Sequence, residues 1–301
     1  MDTRPVVVAV DGSDHSLRAL EWAIPTARRL AADLVIAHVL PDATQLWAAR
    51  RSTLGPGPAL NDPVTDRVRA ALSGRDGLPS VRFDSLEGEV ADALHALGAE
   101  ARMLVMGSRG RGGFASLLLG SNSLAVATRA PCPVVVVPPL ARTGEDERTA
   151  GRVVLGLNLG DTVDEVIDFA FVEARARNVP LQVLSAYPAP PPAALMVAGE
   201  FPPGRLDVDQ YEPAERDVRR DQAERLHPFE ERFPDVEVDA VIAPADAAGH
   251  LVDASASAAL IVVGRHRRRL KPGSLLMGSV AHAVLHHAEC PVAVVPAREG
   301  D

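Results

Sequence analysis

The sequence predicts an α/β protein made of two tandem doubly wound domains, each a parallel five-stranded sheet with helices on both faces. Three observations carry this. The chain repeats itself: Gly107-Ser108-Arg109-Gly110 leads to Gly120-Ser121-Asn122-Ser123 and Pro131-Cys132-Pro133-Val134, and Gly264 leads to Gly278-Ser279 and Cys290-Pro291-Val292. Within each copy, short β-branched runs alternate with amphipathic stretches, the pattern of strands joined by crossover helices. The runs are apolar throughout, which suits strands covered on both faces.

Val6 to Val10 and Val153 to Leu157 read as first strands, each followed by a polar turn and an amphipathic helix, Ser13 to Leu30 and Asp161 to Arg177. Leu34 to Val39 and Leu181 to Ala186 are second strands. Proline-containing loops follow, Pro41 to Pro63 and Pro188 to Pro213. The charged stretches Pro63 to Leu72 and Pro213 to Arg232 read as helices with solvated outer faces. Val81 to Leu86 and Val236 to Ile242 are third strands, Val90 to Leu97 and Ala247 to Ala258 helices, and Arg102 to Met106 and Leu260 to Val263 fourth strands. Gly120-Ser121 opens a helix that runs to about Thr128, and Pro133 to Val137 and Pro291 to Val295 close the copies. The polar stretch Ala141 to Ala150 is the expected linker, so the domains are expected at 1–140 and 151–301.

Composition narrows the function. With 301 residues, 47% of them hydrophobic, the chain can bury two cores of ordinary size. A formal charge of −9 repels a nucleic-acid backbone and disfavours nucleic acid as a partner. No stretch approaches the roughly 20 apolar residues of a membrane-spanning helix, and no long apolar leader precedes Val6, so the expectation is a soluble cytoplasmic protein. Cys132 and Cys290 occupy equivalent repeat positions and read as small buried residues rather than disulfide partners.

In a doubly wound sheet, ligands bind beyond the carboxyl ends of the strands, where the chain order reverses. Asp11-Gly12-Ser13 follows the first strand, Val39 ends the second, and Gly107 to Gly113 follows the fourth. Glycines let a loop curl around phosphate oxygens without a Cβ in the way. A helix starting at Gly120-Ser121 adds amides and a favourable dipole for an anion. Asp11 suits the nucleoside side, as acceptor for an adenine amino group or a ribose hydroxyl.

These residues resemble the universal stress protein family: the Val-Asp-Gly-Ser start, the G-x-x-G-x9-G-S loop and the Cys-Pro-Val end occur in family order across nearly the whole chain. The resemblance implies sheets in the order 3-2-1-4-5, ATP binding with or without Mg2+ and pairing of domains through the last strand; a homodimer and a protein partner yet to be named are also expected. It places Asp11 and Val39 against adenosine, and Gly107, Gly110 and Gly120 in a phosphate cradle. Ser121 and Ser123 would bind phosphate oxygens; Gly12, Ser13, Gly113 and Asn122 complete the candidate set. Asn122 departs from the small apolar residue usual at its place.

The second copy breaks this pattern. Asn158 replaces the aspartate, Leu159-Gly160 the Gly-Ser pair, Arg267 the second glycine and Ala281 the second serine. Its site is expected to be empty or altered. The run Arg265 to Lys271 reads either as a solvated loop or as an anion contact. His282 and His286, four apart, could face one metal ion, but no third ligand follows, and exposed histidines are the simpler reading. Asp14 and His15 stand close enough in sequence to approach phosphates without forming a recognisable triad. Three functions therefore stay open: a nucleotide-dependent regulatory protein, an ATP-independent dimeric scaffold, and a slow ATP hydrolase.

Overall fold

The computed structural model describes residues 2–40, 62–110, 119–139, 151–187, 212–265 and 277–297. The first half runs β1 (Val6–Ala9), α1 (Asp14–Arg29), β2 (Leu34–Leu40), α2 (Pro63–Leu72), β3 (Val81–Glu87), α3 (Val90–Gly98), β4 (Met103–Gly107), α4 (Ser121–Arg129) and β5 (Val134–Val137). The second half repeats it as β6 (Arg152–Gly156), α5 (Asp164–Arg177), β7 (Leu181–Tyr187), α6 (Glu212–Arg232), β8 (Val238–Pro244), α7 (Ala247–Ser255), β9 (Ala258–Arg265), α8 (Ser279–His287) and β10 (Val292–Pro296).

Local chemistry sets the helix starts. Ser13 caps α1 by accepting from the Ser16 amide at 3.2 Å. Asp62 caps α2 by accepting from the Val64 amide at 3.0 Å, with Pro63 in the first turn, where its missing N–H costs nothing. At the far end of α5, Asn178 takes a left-handed conformation (φ 55) and closes the helix.

The expected architecture is present, and the two halves are joined edge to edge. Each half keeps the order 3-2-1-4-5, but the two sheets are one: the strands run β3-β2-β1-β4-β5-β10-β9-β6-β7-β8. Every neighbouring pair is parallel except β5 and β10, which meet antiparallel with Val134 opposite Val294 and Val136 opposite Val292. Both edges are short valine-rich runs with nothing on them to block pairing, and joining them removes two exposed edges at once. The last-strand pairing expected from the family resemblance therefore takes place inside the chain.

Smaller differences lie at element ends. β9 starts at Ala258, where α7 was expected to continue, because Ala256-Ser257-Ala258-Ala259 contains neither glycine nor proline to mark the change. β8 starts at Val238, with the buried Val236 just ahead of it. Most of the two predicted loops (residues 41–61 and 188–211) and the linker 141–150 lie outside the described residues.

The sheet divides the core into two layers that each span both halves. One holds Leu20, Ile24 and Ile167, with Phe171 stacked on Phe229 and Phe233 at centroid distances of 5.8 and 5.4 Å. The other holds Leu94, Leu104, Val126, Leu251 and Val284. Cys132 and Cys290 are buried and free in the second layer.

Candidate functional site

At the carboxyl ends of β1, β2 and β4 the sheet opens into a cavity of about 460 Å³, closed on one side by α3 and α4. Ala9, Ala37, Val39, Val90, Leu94 and Met106 make an apolar slot. Asp11, Ser16, Arg109 and the first turn of α4 make its polar end. Strand alternation explains the slot: Ala9, Ala37, Val39 and Met106 all pack on the layer shared with α3 and α4.

Of the candidate residues, the structure gathers Asp11, Val39, Gly107, Gly110, Gly120, Ser121, Asn122 and Ser123 around this cavity. Gly12 and Ser13 sit on the turn behind Asp11. Gly12 has φ 78, a conformation that favours glycine, and its carbonyl accepts from Arg67, which also pairs with Asp14 at 2.8 Å. The Ser13 amide donates to Asp11 Oδ1 at 2.9 Å and so fixes the carboxylate's orientation. Gly113 lies outside the described residues.

The loop is drawn shut at its base. The Gly120 amide donates to the Ser108 carbonyl at 2.7 Å, the Ser108 amide to the Val137 carbonyl at 2.9 Å, and the Ser123 hydroxyl to the Gly107 carbonyl at 2.8 Å. Two of the groups expected to hold an anion, the Gly120 amide and the Ser123 hydroxyl proton, are thus committed to the loop itself. What α4 offers instead is its first-turn amides. Its ladder begins with Leu124 donating to the Gly120 carbonyl at 3.0 Å, which leaves the amides of Ser121, Asn122 and Ser123 outside it. The close approach at the other end of the loop requires a glycine: a Cβ on Gly107 would lie 2.6 Å from the His15 carbonyl oxygen.

Charge gathers behind the loop. His15 Nδ1 stands 2.6 Å from Arg18 Nη2; because a guanidinium only donates, this imidazole is neutral and carries its proton on Nε2. Burial, then the nearby Arg18 and Arg109 charges, hold its pKa below the ordinary value. Burial and Arg109 likewise lower the pKa of Arg18, against a raising contribution from Asp14. Arg18 and Arg109 were not among the sequence candidates. A helix-face residue and the variable position of a glycine loop give no pattern that marks them.

The second copy differs as its sequence departs. Asn158 Oδ1 accepts from the Gly160 amide at 3.0 Å, its Nδ2 donates to Asp161 at 3.1 Å, and its own amide donates to Thr162 Oγ1 at 3.0 Å, so the side chain serves its own turn. Ala281 is buried where the first copy has Ser123. Arg267 and the rest of the basic run beyond Arg265 lie outside the described residues. His282 and His286 pack ring on ring with centroids 4.5 Å apart, but among the described residues no three metal-binding side chains come together. His286 is half-buried rather than exposed, and burial, then His282 and His287, lower its pKa.

The sequence profile described as the universal stress protein family matches this chain twice, over residues 2–138 and 149–296. The chain belongs to that family. A universal stress protein of Mycobacterium tuberculosis is 34% identical over 296 residues, covering 96% of this chain and 96% of the relative. One from Mycolicibacterium smegmatis is 30% identical over 306 residues, covering 97% of each. Among solved structures, a universal stress protein from Archaeoglobus fulgidus shares the fold across 98% of this chain and 99% of its own, with TM-score 0.64 and 16% identity. Among the described residues, no helix of this tandem member is long and apolar enough to cross a membrane.

Proposed function

We propose that this universal stress protein binds ATP in its first half, with or without Mg2+, and that occupancy biases its conformation or assembly for a protein partner in the cytoplasm. The observation that carries the reading is the make-up of one cavity: an apolar slot, a fixed carboxylate, and a polar end where helix amides and Arg109 converge. A volume of about 460 Å³ suits a nucleotide-sized ligand. In this reading the slot takes the base, Asp11 accepts from the nucleoside, and the Ser121, Asn122 and Ser123 amides with Arg109 hold phosphate oxygens.

Asp11 is the one carboxylate among the described residues lining the cavity, and the reading gives it a binding role. Occupancy shifts an equilibrium only by binding one state more tightly than another, and the loop and α4 are the elements the ligand would touch. The ATP-independent scaffold is favoured by a separate observation, the β5–β10 junction, which joins the halves by antiparallel strand pairing. In either reading a homodimer forms through surfaces other than β5 and β10.

Calorimetric titration of nucleotide-free protein with ATP and magnesium is the test. One site per chain is expected. Two sites would mean that the second half also binds, and no binding would leave the scaffold reading in place.

A further inference from the structure

The second half has lost the residues of a nucleotide site, yet one of its side chains reaches the far end of α4 in the first half. Arg265, the last residue of β9, is 7% exposed, and its Nη1 donates to the Ala130 carbonyl at 2.6 Å. Ala130 is the C-cap of α4, and its carbonyl is among those left without an intrahelical donor at the end of a helix. The other end of that nine-residue helix is the cavity's polar wall.

The sheet junction explains how the two meet. β10 pairs parallel with β9, Pro296 opposite Arg265, and antiparallel with β5, Val294 opposite Val134. The carboxyl end of β9 therefore lies beside the start of β5, immediately after α4. In the repeat, Arg265 occupies the place that Ser108 holds in the first copy, directly after the glycine that ends the fourth strand. A serine is too short to make such a bridge, so the contact runs one way only.

We propose that Arg265 is a positioning residue for the first half's nucleotide site, and that bracing α4 is a task of the degenerate second half. The inference rests on the reading of the cavity as a nucleotide site. A helix of nine residues is about 13 Å long, so a shift or fraying at Ala130 is felt at Ser121. A cation at its C-terminus and an anion at its N-terminus stabilise the same dipole. Neighbouring contacts hold the same end: the Arg129 carbonyl meets His95 Nδ1 at 2.9 Å, and Arg129 pairs with Asp92 of α3 at 2.9 Å. Arg265 adds a contact from the other half.

The test is ATP titration and thermal unfolding of full-length Arg265→Met and Arg265→Lys, with amide exchange of residues 121–124 in the nucleotide-free proteins. Removing the donor should weaken ATP binding by about 5-fold or more, a typical coupling between sites, and speed exchange in the first turn of α4. Lys, which keeps a charged donor, should restore both to near wild type. Should the Met variant fail to fold, Arg265→Gln, with a shorter arm, takes its place.

A Met variant with lower thermal stability but wild-type affinity and exchange would make Arg265 a purely structural residue and overturn the proposal. If the wild type binds no ATP, the nucleotide reading falls first. The exchange rates then decide the brace alone, and unchanged exchange at residues 121–124 overturns it as well.

Discussion

Gly110→Ala separates binding from folding. A Cβ at this position would lie 2.8 Å from Asp11 Oδ2, well inside normal contact, while Asp11 Oδ1 is held by the Ser13 amide at 2.9 Å. The carboxylate must turn away, and it cannot do so and keep both its bond to Ser13 and its aim into the cavity. Gly110 itself is exposed and does not have positive φ, so the backbone accepts alanine and the fold should change by no more than about 0.5 kcal/mol. A hydrogen bond to a charged group contributes roughly 1.5–3 kcal/mol. At about 1.4 kcal/mol per tenfold, its loss predicts ATP binding weakened by about 10- to 150-fold. The assay is calorimetric titration with ATP beside thermal unfolding of the same preparation. Asp11→Asn provides the same test without the steric change, and Gly110→Arg, which copies the second repeat's arginine, should abolish binding. If the alanine variant unfolds at the wild-type temperature and binds ATP with wild-type affinity, Asp11 does not contact the nucleoside and the site has been assigned wrongly.

Three other outcomes follow from the packing and the titrating groups. Gly107→Ala should act on stability, because its Cβ would meet the His15 backbone at 2.6 Å. Overpacking costs about 1–3 kcal/mol, and at roughly 2–4 °C per kcal/mol calorimetry should show melting lowered by several degrees; unchanged melting would mean that α1 is not held against β4 here. Burial pushes the Cys132 thiol up to about 12, so native protein at pH 8 should resist iodoacetamide at this residue until denaturant is added, as read by mass spectrometry. Because the unfolded thiol loses its proton first, this group also makes stability fall as pH rises above its ordinary value of 9.0; labelling of the native protein at pH 8 would contradict the burial. His15 and His286, both held below 6.5 chiefly by burial, have the opposite sign: the unfolded chain takes up their protons first, so stability is complete above pH 6.5 and falls on acidification below it. Denaturant titrations between pH 7.5 and 5 should show that slope, and His15→Gln with His286→Gln should flatten it; an equal slope in the double variant would remove both residues from the account.

The sequence exposes what is local and repeated, and hides what depends on distant edges. The strands of the first half are legible because β-branched runs such as Val6 to Ala9 are bounded by polar turns. The Ala256 to Ala259 boundary is not, since alanine favours helix and the pairing with neighbouring β6 overrides that preference. The single sheet was legible only through the family resemblance, which implies pairing of domains through the last strand: Val134 to Val137 by itself has no alternation or charge to specify its partner, and the folded edges select β10. At the site, spacing located the glycines and the start of α4, but it could not show that the Ser123 hydroxyl donates to the Gly107 carbonyl. Spacing shows which groups converge; competing protein acceptors show which of them remain for a ligand.

The junction between the halves gives the duplication a physical meaning. Thr26 of α1 and Glu173 of α5 hold equivalent places in the two copies, and Arg177 links them across the interface. Glu173, 1% exposed, pairs with Arg177 at 2.8 Å, and Arg177 reaches both Thr26 Oγ1 at 3.4 Å and the face of Trp22 at 5.0 Å. Arg29 donates to the same Thr26 hydroxyl at 3.1 Å. The contact joins unlike residues at equivalent repeat positions, a threonine in the first half and a buried glutamate paired with arginine in the second, so the two halves are not interchangeable at this interface. A tandem chain supplies this pairing of unlike halves at high effective concentration, and the two core layers that span both halves hold the second copy's strands and helices against the first.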